Sequence, residues 1–141
     1  MATIENYEFP DDLYYTKDHV WAKVDGNVVT IGLTQFGQSI AGDILFVEAP
    51  HPGREITKDE AFMSMESGKW VGRIKSPVSG KILESNAELE WESNQVNSDP
   101  YGKGWLTKVE ATNLKELDNL LRANSPDLAN LIAEEKKKYK K

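Results

Sequence analysis

SMESGKWVGRIKSPVSG, residues 64–80, sets two strand-like runs around a Gly-Lys pair. With Gly68 and Lys69 as the central residues of a tight hairpin, glycine in the first position suits a type II′ turn, which needs φ > 0 there. Pairing then sets Ser67 opposite Trp70, Met65 opposite Gly72 and Met63 opposite Ile74, on one mostly apolar face. Phe62, Ser64 and Glu66 meet Val71, Arg73 and Lys75 on the other, mostly polar face. One face anchors the strands while Lys69 projects from the tip. An accessible amine on a rigid frame is what a modifying ligase requires, and it is equally the description of a solvated hairpin lysine.

The flanking sequence has the same character. Residues 20–33, VWAKVDGNVVTIGL, read as two strands around the Asp25-Gly26 turn. TQFGQSIAGD predicts a short helical turn capped by Thr34, with Phe36 and Ile40 on one face and Gly42 as its stop. ILFVEAP is an apolar strand ended by Pro50, GKILESN is another, and a turn at Asp99-Pro100-Tyr101 leads into a strand over residues 105–109. After Ala111 the period changes. Asn113 caps NLKELDNLL, with Glu116 three residues on and a stripe of Leu114, Leu117, Leu120 and Leu121. Ser125 and Pro126 start a second helix. The chain therefore reads as a single domain, 1–141: a mainly β body over 1–110, arranged as a small sandwich or barrel, and two C-terminal helices over 111–141.

Composition bounds the chemistry. The 141 residues suffice for one core and not for a multi-domain enzyme. No cysteine is present, which excludes a disulfide framework, a thiol nucleophile and a thiolate metal site. His19 and His51 are too far apart to suggest a metal cluster. The net charge is −6, although KKKYKK at the C-terminus holds five lysines, so the body is more acidic still. Such a body repels nucleic acid, and the tail reads as a solvated helix end whose lysines suit the helix dipole. No apolar run has the length of a membrane span or signal core, so a soluble cytoplasmic protein is expected. No acid–base pair stands at a recognisable catalytic spacing, so no free-standing enzyme is read here.

Several words of the sequence resemble one family. ESGKW followed by PVSG resembles the lipoyl-lysine hairpin E-S-V-K-A … P-V-S-G of H proteins of the glycine cleavage system. LYYTKDHVW is similar to L-x-Y-[TS]-x-x-H-E-W, and VTIGLTQFGQSIAGDILFVEAPHPG and NSDPYGKGWLTKV each resemble a further family motif in the right order. The resemblance implies a barrel-sandwich hybrid of two antiparallel sheets, a monomer, and lipoate in amide linkage to Lys69. Glu66, Ser67, Gly68 and Trp70 would then form the turn that a lipoate ligase or lipoyl transferase reads. Biotin carriers, of related fold, place methionines on both sides of their lysine; Gly68 and Trp70 do not fit that pattern.

Departures from the family bear on what the arm carries. Glycine-cleavage H proteins receive a cationic aminomethyl arm in a cleft with two carboxylates, the Glu of H-E-W and the Asp of E-S-V-K-A-x-S-D. Val20 and Arg73 stand at those positions, and Ile40 replaces a family histidine; His19 and Lys75 complete the expected cleft. A unit charge at about 4 Å is worth ~4 kcal/mol at an effective dielectric near 20, so this exchange predicts a pocket of reversed sign that favours an anionic or sulfur-rich adduct. ESGKWVG and FPDDLYY also resemble lipoate-binding proteins of sulfur oxidation, whose partners are a heterodisulfide-reductase-like complex and sulfur-transfer proteins. That is the leading expectation. The alternatives are a glycine-cleavage carrier working with the P, T and L proteins, and an unlipoylated H-protein-like adaptor.

Overall fold

The computed structural model describes residues 2–138. Twelve strands run β1 (Ala2–Ile4), β2 (Tyr7–Phe9), β3 (Tyr14–Tyr15), β4 (Val20–Asp25), β5 (Val28–Leu33), β6 (Ile44–Glu48), β7 (Glu55–Ile56), β8 (Ala61–Ser67), β9 (Val71–Lys75), β10 (Gly80–Ser85), β11 (Thr107–Ala111) and β12 (Leu121–Arg122). The helices are α1 (Gln35–Ala41), α2 (Gln95–Ser98) and α3 (Pro126–Lys138). All pairings are antiparallel. A seven-stranded sheet has the order β12-β3-β4-β5-β11-β10-β7, a three-stranded sheet the order β6-β8-β9, and β1-β2 form a hairpin. The mainly β architecture is the one expected from the sequence.

Alternation along β4 sorts the core into two layers. Val20 and Ala22 face a cluster shared with Met63, Met65 and Ile74 of the three-stranded sheet. Trp21 points the other way, into a second cluster with Tyr15, Phe36, Leu128 and Ile132, which seats α1 and α3 on the opposite side. The Trp21 indole N–H donates to the Pro100 carbonyl at 3.0 Å and so holds the turn after α2. Next to it, the Tyr101 hydroxyl donates to Glu8 O (2.6 Å) and accepts from Gln35 N (3.1 Å). Burial pushes that hydroxyl up to about 12 from its ordinary 10.0.

The caps at the first helix fall where the sequence puts them. Thr34 accepts from Gly37 N at 3.0 Å, and Gly42 ends α1 at φ 87°. The C-terminal region differs from expectation. Residues Leu114–Asn119 form a 3-10 helix, and the chain then extends into β12 against β3. Only six residues separate Asn113 from Leu120, too few to sustain an isolated α-helix. Glu116 does not return to the cap either: its carboxylate accepts from Ser79 N (2.7 Å) and Ser79 Oγ (2.8 Å). In α3, Lys136 reaches Glu5, at 3.4 Å from its carbonyl and 3.7 Å from Oε1. Lys140 and Lys141 of the basic tail lie outside the described residues.

Candidate functional site

The hairpin β8–β9 has the register that alternation predicts through its middle: Met63 opposite Ile74, Ser64 opposite Arg73, Met65 opposite Gly72 and Glu66 opposite Val71. At the far end a bulge between Ala61 and Met63 moves Ala61 opposite Lys75. That slip turns Phe62, expected on the polar face, into the core at 3 % exposure.

At the tip the turn is built differently from expectation. Gly68 does not adopt positive φ; among the glycines described, only Gly26, Gly42 and Gly53 do. Ser67 supplies the constraint instead. Its N–H donates to Trp70 O at 2.8 Å, and its Oγ accepts from Lys69 N at 3.2 Å, the serine turn that substitutes a side chain for backbone. The same Oγ donates to Ala41 O at 2.6 Å, which ties the tip to the last residue of α1. Ser67 is therefore buried, whereas Glu66, Gly68 and Lys69 are exposed. A Cβ on Gly68 would meet nothing within 4 Å.

The Lys69 side-chain amine makes no hydrogen bond or ion pair to another described residue. Its side chain runs across Gly42, where a Cβ would stand 2.7 Å from Cε, in an open groove with Asp43, Leu45, Ser67 and Gly68. Outside the groove, the row Phe46–Glu66–Val71 crosses the three-stranded sheet, with Phe46 57 % and Val71 71 % exposed. Leu45 beside them is 66 % exposed. The strand face next to the tip therefore carries an acidic residue between solvent-facing apolar side chains.

On the inner side of the tip lies a cleft of about 250 Å³ between β9, α1 and α3. Trp70, Ala41 and Ile40 line the part nearest the tip, with Arg73 and Ile74 along one side. The Trp70 indole lies over Gly72, where a Cβ would fall 1.9 Å from Cζ2. His19, Glu135, Lys17 and Asp18 close the other end. His19 Nε2 stands 2.8 Å from Glu135 Oε1, and the imidazole meets Phe36 edge-on at 5.0 Å. Gly37 lets His19 come this close to α1, for a Cβ there would be 2.9 Å from His19 Cβ.

Of the cleft residues expected from sequence, His19, Ile40 and Arg73 come together. Val20 does not: it is 1 % exposed, on the core face of β4. Lys75 does not either, being exposed opposite Ala61 at the end of β9. The expected reversal of charge is also absent. Lys17 and Arg73 are matched by Asp18 and Glu135, so both signs line the cleft. Glu135 was invisible to a local reading because it lies 116 residues from His19 and arrives on α3. Gly37 left a trace, a glycine inside a helical pattern, which commonly marks close packing.

Comparison with known proteins gives consistent results. The family profile described as Glycine cleavage H-protein matches residues 13–134. A glycine cleavage system H protein of Symbiobacterium thermophilum is 47% identical over 118 residues, covering 84% of this chain and 92% of that protein. Another, of Staphylococcus haemolyticus, is 49% identical over 115 residues, covering 82% and 91%. Among solved structures, the glycine cleavage system H protein of Mycobacterium marinum matches with a TM-score of 0.76 at 30% identity, covering 89% of this chain and 98% of that one.

Proposed function

Because the chain belongs to the glycine cleavage H-protein family, we propose that it is a lipoyl carrier bearing its lipoate on Lys69 and moving an aminomethyl group among the P, T and L proteins of the glycine cleavage system. The carrier itself is non-catalytic. The observation that carries the reading is the pairing of an exposed, unpartnered amine at a fixed turn with a mixed-charge cleft beside it. The groove over Gly42 fits an extended lysine arm, since any side chain there would press on Lys69.

When bound, lipoate supplies a dithiolane, the sulfur chemistry that a chain without cysteine lacks. The protein's residues hold and present it. Ser67 fixes the root of the arm to α1. Glu66, Gly68 and Trp70, together with the apolar surface of Phe46, Leu45 and Val71, form the face that a lipoate ligase or transferase and the partner proteins would meet. Ile40, Trp70 and Ile74 give the cleft an apolar lining, while His19, Arg73 and Glu135 give it charge. Among the described residues no helix is long and apolar enough to cross a membrane. As part of the same proposal, the carrier works in the cytoplasm with its partner enzymes.

The sulfur-oxidation reading rests on a cationic pocket and on the words ESGKWVG and FPDDLYY. Arg73 remains in its favour, but the cleft also holds Asp18 and Glu135, and the relatives compared are glycine cleavage H proteins. The glycine-cleavage reading is therefore the better supported of the two. A mass measurement tests it. Lipoylated, reduced protein is incubated with glycine and a glycine decarboxylase, and in parallel with thiosulfate and a sulfur-transfer protein. The expected result is an aminomethyl adduct on the Lys69 peptide in the first sample only, lost in Lys69→Arg. A sulfur adduct without aminomethyl loading would reinstate the sulfur carrier, and failure to attach lipoate at all would leave the adaptor.

A further inference from the structure

Resting on that carrier reading, we infer that Glu135 is the carboxylate that receives the cationic end of the loaded arm, and that His19 positions it. The C-terminal helix then belongs to the binding site instead of merely covering the core.

Glu135 lines the cleft with its side chain 22 % exposed, so it is accessible from the cleft yet partly shielded from bulk water. One oxygen, Oε1, faces His19 Nε2 at 2.8 Å, and no described residue takes the other. His19 is itself fixed. Its backbone has φ 68°, its carbonyl accepts from Thr34 N at 2.9 Å, and its ring is buried against Phe36. From the other side α3 is fastened by Leu128 and Ile132, at 1 % and 0 % exposure. A carboxylate held at both its root and one oxygen, with its second oxygen unclaimed, is preorganised to take an ammonium hydrogen bond.

The remaining charges in the cleft are worse placed for this. Asp18 is exposed, so solvent screens it. Lys17 and Arg73 repel an ammonium, and neither forms an ion pair with Glu135. Selection of a cation therefore rests on Glu135.

The absence of cysteine makes a clean test possible. In the full-length lipoylated protein, reduction exposes thiols on the arm alone. Alkylation with 2-bromoethylamine, sulfur displacing bromide, gives an arm ending in ammonium; alkylation with iodoacetamide, sulfur displacing iodide, gives a neutral end. We expect the ammonium form to move the His19 ring resonances while those of exposed His51 stay put, and to melt higher than the neutral form by roughly 3 °C. Glu135→Gln should abolish both differences and Asp18→Asn should retain them; Glu135→Ala gives the same reading without the amide. Differences that persist in both Glu135 variants, or that are missing in the wild type, overturn the inference. Enzymatic loading from glycine is scored separately on the wild type. Loading without a Glu135-dependent difference overturns this inference alone, and no loading overturns the carrier reading with it.

Discussion

The side chain of Lys69 lies across the α carbon of Gly42, close enough that a Cβ there would sit 2.7 Å from Lys69 Cε. Gly42 also has φ 87° and ψ −170°, a region open almost only to glycine. Two costs therefore meet at Gly42→Ala. The backbone cost is about 1–3 kcal/mol and falls on global stability. The steric one is relieved by swinging the flexible lysine out of its groove. Urea unfolding should show the first, and a slower ligase-catalysed mass gain at Lys69 should show the second even where the variant is fully folded.

Gly68 sets up the opposite pattern. It needs no positive φ and has open space where a Cβ would go. Gly68→Ala should leave stability unchanged within about 0.5 kcal/mol, or raise it slightly by restricting the unfolded chain. If the glycine is there to let an enzyme approach the amine, lipoylation should slow by tenfold or more. An unchanged lipoylation rate would remove Gly68 from the recognition surface.

Ser67→Ala deletes the bond to Ala41 O and the acceptor of Lys69 N. Leaving the Ala41 carbonyl without this donor should cost about 1–3 kcal/mol by denaturant titration. Amide exchange at Lys69 and Trp70 should accelerate more than at Met63 and Met65, because the constraint lost is at the tip.

Tyr101 predicts an alkaline signature. Its hydroxyl is raised from 10.0 to about 12 by burial, first of all, with a further contribution from Glu8. Between those two values the folded protein holds a proton that the unfolded chain has released, so stability falls as pH rises through the window. The contribution is fully present below pH 10. Tyr101→Phe removes the bonds to Glu8 and Gln35 and should be the less stable protein at pH 8. Its deficit, on the order of 1–2 kcal/mol, should shrink toward pH 11 in urea midpoints measured across the range.

The sequence disclosed what depends on short-range periodicity. The pairings Met63–Ile74 and Met65–Gly72 follow from alternation, and the Thr34 and Gly42 caps from side-chain chemistry at helix ends. It concealed what depends on competition between partners. The Phe62 bulge is a choice between two registers that only the core decides. Glu116 could cap its own helix or bind Ser79, and it binds Ser79. The hairpin β1–β2 turns at Glu5 and Asn6 with φ 51° and 74°, without the glycine that usually advertises such a turn. In the candidate site, the place of Lys69 at the hairpin tip was legible from alternation in the flanking strands, whereas the partnership of His19 with Glu135 exists only once α3 has docked.

The Ser67–Ala41 bond joins the root of Lys69 to α1, one wall of the cleft. On the carrier reading proposed above, whatever the arm carries would be tethered to the cleft that receives it, and their meeting would be intramolecular. Short flexible tethers give effective concentrations in the millimolar range. A cleft whose affinity for the free group were only about 1 mM, roughly 4 kcal/mol, would then be occupied about half the time. On that reading weak binding would be enough to shelter the cargo, and weak binding would also let the next enzyme draw the arm away.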